Sequence, residues 1–142
     1  MTMKTITKAI MLFSVMAMFG SPAFSATNKV MLQISDGSPE KQAMVLNIAS
    51  NLKKHYGMDK IDVEIVAFGP GLKLALKDNA NAERVQSLKT SGVTISACDK
   101  TIRKMAKKTG KKPVLNDNVQ VVEGGVIRML ELSSQGYMLV HP

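Results

Sequence analysis

The chain of 142 residues carries 19 basic against 11 acidic side chains, a formal net charge of +8, and a single cysteine, Cys98. One cysteine excludes an intramolecular disulfide framework. Four Phe, two Tyr and no Trp supply too few aromatic rings for stacking on single-stranded nucleic acid. The basic balance therefore favours small anions or an anionic membrane surface over nucleic acid.

The first 25 residues have the pattern of a secretory signal peptide. Lys4 and Lys8 precede an apolar run over 9–20, and a Ser-Pro pair then leads to small residues at 23 and 25. The run is shorter than the roughly 20 residues that a membrane-spanning helix needs. We therefore expect cleavage after Ser25, with a site after Ala23 as the alternative. The mature protein is then periplasmic or otherwise secreted, without a membrane span.

The remaining residues, 26–142, are of the size of one domain, in which strand-like and helix-like runs alternate. Apolar and β-branched runs predict strands at 29–35, 61–68, 93–97, 119–122 and 137–140. Apolar residues at helical spacing predict helices at 39–55, 72–76, 81–90 and 99–108, and a last one through Ile127 and Leu132. Strands joined by helices predict a three-layer α/β/α sandwich with a mainly parallel five-stranded sheet.

The carboxyl ends of parallel strands form the edge where such sheets bind ligands. Cys98 is predicted on that edge, where the third strand passes into a helix, so helix N–H groups and the helix dipole would stabilise a thiolate. Lys100 and Arg103 add positive charge and Asp99 opposes it. The other residues predicted there are Asp36, Gly37, 69–71, 123–125 and His141.

Other interpretations of these residues remain open. Cys98 is either a functional thiol or a small buried hydrophobe, and a cysteine hydrolase would need His141 within hydrogen-bonding reach. One cysteine and two distant histidines do not make a metal site, and the glycine pairs lack the spacing of a dinucleotide or phosphate loop, so no cofactor is predicted. The basic run is a solvated face or a docking surface: Lys100, Arg103, Lys104, Lys107, Lys108, Lys111 and Lys112.

Four segments resemble the DsrE/DsrF-like sulfur-relay proteins. They are Val-Met-Leu-Gln-Ile-Ser-Asp at 30–36, Val-Glu-Ile-Val-Ala-Phe-Gly-Pro-Gly at 63–71, Gly-Val-Thr-Ile-Ser-Ala-Cys-Asp-Lys-Thr-Ile at 92–102 and the segment 125–137, which ends in Gln-Gly-Tyr. The resemblance implies a parallel five-stranded α/β/α fold, homo-oligomers and, in members that have it, a cysteine at the position of Cys98 that carries sulfur as a persulfide. The best-understood relatives work in the cytoplasm, whereas this chain is predicted to be exported.

Two functions follow as hypotheses. In the first, the protein is a sulfur carrier or sulfurtransferase-like protein that uses Cys98, and the basic helix attracts anionic sulfur species or an acidic protein partner. In the second, Cys98 is structural and the protein is a non-catalytic module that binds a small anion or assembles into oligomers. The many apolar helix positions in so small a domain also favour a homo-oligomer.

Overall fold

The computed structural model describes residues 27–142, so the predicted signal peptide and its cleavage site lie outside the described residues. The sheet contains β1 (Asn28–Ile34), β2 (Ile61–Ala67), β3 (Val93–Cys98), β4 (Gln120–Val122) and β5 (Met138–Val140). The helices are α1 (Pro39–Tyr56), α2 (Ala82–Thr90), α3 (Asp99–Thr109) and α4 (Gly125–Ser134), and a 3-10 helix, Gly69–Ala75, follows β2.

The five strands are arranged in the order β4-β3-β2-β1-β5, and all neighbouring pairs are parallel. The predicted parallel α/β/α fold is thereby confirmed. Because β1 to β4 advance in one direction, right-handed crossovers place α1, α2 and α3 on one face. The step from β4 back to β5 places α4 on the other face, so the two faces are covered unequally.

The main core lies between the sheet and the helices α1 and α2, where Leu32, Ile65 and Ile95 of the sheet meet Val45 and Leu46 of α1. A second cluster places Ile102 of α3 against the 3-10 helix. On the opposite face, Leu132 is the one fully buried apolar side chain of α4, and it packs on Met31 and Val66. α4 is therefore held by less apolar burial than α1.

α1 begins with the capping residue and the proline that the sequence predicts. The Ser38 hydroxyl accepts a hydrogen bond from the N–H of Lys41 at 3.4 Å, and Pro39 occupies the first turn. The segment predicted as a helix from residue 72 is instead a 3-10 helix that begins at Gly69. A Cβ at Gly71 would overlap the carbonyl of Ile34, so glycine there lets this helix pass directly over the end of β1.

No helix within residues 27–142 has the length and apolar character needed to cross a bilayer.

Candidate functional site

Cys98 is both the last residue of β3 and the N-cap of α3. Its extended backbone leaves the strand while the next residue begins the helix, so the side chain stands at the helix N-terminus, where the first N–H groups have no partner within the helix. The thiol is free, and only 5% of the residue is exposed. The predicted strand-to-helix position of Cys98 is thus what the structure shows.

The hydrogen bonds around the sulfur favour its ionised form. Burial alone would raise the pKa of the Cys98 thiol, because it disfavours the charged thiolate. Hydrogen bonds from the Thr101 hydroxyl and from the main-chain N–H groups of Thr101, Gly125 and Lys100 outweigh that effect. The pKa of Cys98 consequently lies below its ordinary value, and the thiolate is more populated near neutral pH than in a free cysteine.

The N–H groups around the sulfur come from two helices. Lys100 and Thr101 belong to the first turn of α3, and Gly125 is the first residue of α4, which approaches from the other face of the sheet. Each helix N-terminus carries a partial positive charge. A negative charge on the sulfur therefore lies between two favourable dipoles, an arrangement that the sequence did not predict.

A small cavity of about 170 Å³ opens beside the sulfur. This volume exceeds that of a single water but is below the range of about 300–1,000 Å³ for drug-sized ligands. A Cβ at Gly125 would come within 2.6 Å of the Phe68 ring, so the glycine makes room for this wall. The cavity is lined by Phe68, Cys98, Lys100, Thr101, Gly124, Gly125, Val126 and Ile127.

The other residues predicted on this edge divide between two places. Gly69 donates its N–H to the Thr101 hydroxyl at 3.0 Å and so belongs to the thiol site. Asp36 and His141 instead line a second cavity of about 160 Å³ at the ends of β1 and β5. Because β5 lies three strand positions from β3, about 14 Å at the usual spacing, His141 is not placed to act as a base for Cys98.

The charged residues near Cys98 favour a negative charge on the sulfur more than their order in the sequence suggests. Asp99, which opposes the thiolate, forms an ion pair with Arg103 at 2.9 Å. Lys100 is exposed and lines the thiol cavity. The net positive charge at the cavity mouth is therefore supplied by Lys100. In residues 27–142 no cluster of three or more histidine, cysteine or acidic side chains is grouped to hold a metal ion.

A buried polar network fixes α4, and with it Gly125, over the sheet. Arg128 donates two hydrogen bonds from its guanidinium to the carboxylate of buried Glu64 on β2, at 2.7 and 2.8 Å. Ser96 donates to the same carboxylate at 2.6 Å, and Gln120 donates to the Ser96 hydroxyl at 2.8 Å. Since Arg128 lies one turn after Gly125, this ion pair sets where the α4 N-terminus meets the sulfur.

Sequence reasoning missed Thr101, Phe68 and the Glu64–Arg128 pair. A signal for Thr101 was present, since it is the third residue of a helix that begins directly after Cys98, within side-chain reach of the cap. An acid inside the β-branched run of β2 was a signal for Glu64, because a charge there requires a buried partner. No sequence signal linked Arg128 to Glu64, which is 64 residues away.

Comparison with known proteins agrees with this fold. A solved structure of a protein of unknown function from Methanobacterium thermoautotrophicum superposes with a TM-score of 0.71 at 22% identity, covering 81% of this chain and 99% of that one. That likeness shows the fold alone. No curated protein matches the chain. The model of the DsrE/DsrF-like family matches residues 28–142, and the chain therefore belongs to the DsrE/DsrF-like family.

Proposed function

We propose that the protein is a sulfur carrier in which Cys98 accepts a sulfane sulfur as a persulfide and passes it on. The observation that supports this most directly is the position of Cys98 at the N-cap of α3, in one cavity with Gly125 at the start of α4, which places main-chain N–H donors of both helix N-termini near the sulfur. Such donors stabilise an attacking thiolate and equally the anion of a persulfide. The adjoining cavity of about 170 Å³ has room for one or two added sulfur atoms.

The loading step balances with an anionic donor such as thiosulfate. The Cys98 thiolate attacks the outer sulfur, a new S–S bond forms at Cys98, and the old S–S bond breaks with its electron pair leaving on sulfite. No proton and no external oxidant are needed. Lys100 at the cavity mouth attracts the dianion and favours its approach to the thiolate.

Intact-mass analysis of the mature protein after exposure to polysulfide or thiosulfate tests this function. We expect a mass increase of one or more sulfur atoms that is reversed by a reducing thiol. Cys98→Ser is the control, because it replaces the sulfur with little change in volume. A folded wild-type protein that gains no sulfur, or a Cys98→Ser protein that gains as much, would contradict the proposal.

We propose the periplasm or an equivalent extracytoplasmic space as the place of this function, on the order of the basic residues, apolar run and small residues in 1–25. N-terminal sequencing of the protein recovered from its native host tests it. A chain that begins near Ala26 is expected, and an intact chain from Met1 would contradict export by cleavage.

A second candidate, an assembly module, is favoured by the apolar surface of α4. Leu130 is 68% exposed one turn from exposed Val126, and exposed Leu139 of β5 pairs with Met31 on the face that α4 covers. We propose that copies of the chain associate through this surface, whether or not Cys98 carries sulfur.

Light scattering tests this association. The wild type is expected to be oligomeric and Leu130→Glu monomeric, whereas a monomeric wild type would contradict the proposal.

A further inference from the structure

A groove of about 710 Å³ lies between the C-terminal end of α3 and the loop that follows it. Its surface is mainly apolar, and Val114 is 59% exposed although it is a large aliphatic residue. Lys111 and Lys112 lie at the rim of this apolar floor, together with one acid, Asp78, and with Lys77, which is paired with Asp117 at 3.6 Å. The groove is lined by Leu76, Lys77, Asp78, Met105, Thr109, Lys111, Lys112, Pro113 and Val114.

The wall of the groove is held by the backbone. The N–H of Lys77 donates to the carbonyl of Val114 at 3.0 Å, and the N–H of Asn116 donates to the carbonyl of Ala75 at 2.9 Å. The Asn116 side-chain amide donates in turn to the carbonyl of Ala82 at 3.3 Å. Since the chain is fixed on both sides of Val114, a ligand would find the groove already formed and would not have to order it.

Positive charge extends from the groove along the exposed side of α3. Residues 99–112 contain seven basic side chains and one acid, Asp99, which is paired with Arg103. Within residues 27–142, the six lysines among these seven form no ion pair with a carboxylate. Unneutralised lysines around an apolar floor are complementary to a ligand that carries both negative charge and an apolar group.

The groove and the thiol cavity lie toward opposite ends of the same helix, α3. A shallow depression lined by Lys100, Arg103, Lys104 and Lys107 follows α3, and Lys100 also lines the thiol cavity. α3 has 11 residues, which corresponds to about 16 Å. Because the groove and the depression lie on different sides of α3, an extended segment of more than about five residues is needed to pass from the groove to the mouth of the thiol cavity.

We propose that this surface, the groove together with the basic side of α3, binds an acidic polypeptide segment that anchors one apolar side chain in the groove. A small anion would not use the apolar floor. A bilayer surface is convex or flat on this scale and would not fill a concavity beside α3. The use of the surface, to bring a partner to Cys98, rests on the proposed sulfur-carrier function, but binding itself does not require the thiol.

The test uses mature Cys98→Ser protein, so that sulfur chemistry cannot affect the outcome. The probe is a labelled synthetic peptide of Asp and Glu with one central Leu, and the matched probe has Ser in place of that Leu. We expect the Leu peptide to bind at sub-millimolar concentration and to shift amide NMR signals of 99–116. The Ser peptide is expected to bind about tenfold more weakly, because it leaves the groove empty.

Surface variants localise the binding. Lys104→Glu with Lys107→Glu is expected to weaken binding about tenfold, and Val114→Asp by a similar factor. The matched control, Lys54→Glu with Lys89→Glu, makes the same change in charge on exposed positions of α1 and α2, and is expected to leave affinity within about twofold. Circular dichroism verifies that all variants remain folded.

Three results would overturn the proposal. Equal binding of the Leu and Ser peptides would mean that charge alone acts and the groove has no role. Tighter binding to phosphatidylglycerol vesicles than to the peptide, lost in the Lys104 and Lys107 variant, would make the surface a membrane contact. No binding at about 1 mM peptide, or shifts confined to other elements, would remove the docking surface altogether.

Discussion

Thr101 accepts a hydrogen bond on its hydroxyl oxygen from the main-chain N–H of Gly69 at 3.0 Å. Burial raises the pKa of the Cys98 thiol, and the neighbouring Thr101 hydroxyl is the first of the groups that lower it below its ordinary value. The turn after β2 therefore contacts the side chain of Thr101 in the first turn of α3. This contact joins the ends of two neighbouring strands, β2 and β3, beside Cys98.

Replacing Thr101 with Val should raise the pKa of the Cys98 thiol. Val keeps the shape of Thr but cannot donate, and a hydrogen bond to a charged group contributes about 1.5–3 kcal/mol. The rate of iodoacetamide alkylation, followed by intact mass as a function of pH, measures this pKa. Thr101→Ser should restore most of the wild-type profile. Identical profiles for wild type and Thr101→Val would show that the hydroxyl does not act on the sulfur.

Gly125→Ala should slow alkylation of Cys98 and destabilise the fold by about 1–3 kcal/mol. The new Cβ would lie 2.6–2.8 Å from Phe68 atoms, so either Phe68 or the start of α4 must move, and the Gly125 N–H then leaves the sulfur. Alkylation kinetics and urea unfolding measure the two effects.

The control for Gly125→Ala is Gly110→Ala. Gly110 ends α3 at a φ of +73° with open space around its Cβ position, so alanine there is strained without touching the thiol site. It should lower stability by about 1 kcal/mol and leave the alkylation profile unchanged. If both variants altered alkylation alike, general destabilisation would explain the effect of Gly125→Ala.

The order of the elements could be predicted from sequence because local patterns specify it. The alternation of β-branched runs with helical spacing is visible in short windows, and Ser38-Pro39 marks the start of α1. The 3-10 character of Gly69–Ala75 could not be predicted in this way. It depends on how closely Gly71 passes the end of β1, which is a tertiary contact.

The position of Cys98 could be predicted as well, since a strand end followed by a helix start is a local feature. Its surroundings could not. Gly125 lies near the sulfur because α4 packs on the face of the sheet opposite to α3. The carboxyl edge of the sheet contains two separate cavities because β5 pairs with β1 rather than with β3. Both facts depend on strand order, which a single sequence without long-range pairing information does not specify.

Arg128→Met should destabilise the protein by about 3–5 kcal/mol, because it leaves the carboxylate of Glu64 buried without its charge partner. The double variant Glu64→Met with Arg128→Met should recover a large part of this loss, since no uncompensated charge remains. Urea unfolding of the wild type, the single variant and the double variant measures the difference. If the double variant is no more stable than Arg128→Met, the Glu64–Arg128 pair stabilises α4 by more than the cancelling of the two charges.

The lowered pKa of Cys98 makes the stability of the protein depend on pH in a direction that Cys98→Ser should remove. In the unfolded chain the thiol has a pKa of about 8.5, and in the folded protein hydrogen bonds from Thr101, Gly125 and Lys100 hold it lower. Between these two pKa values the unfolded state binds more protons than the folded state. Ionisation of Cys98 therefore stabilises the folded state fully above the unfolded pKa, and this contribution is lost as pH falls through the folded pKa. Urea unfolding under reducing conditions should therefore show the advantage of wild type over Cys98→Ser growing from pH 6 to pH 9. An advantage that stays constant or shrinks as pH rises would mean that the sulfur is packed as a neutral thiol.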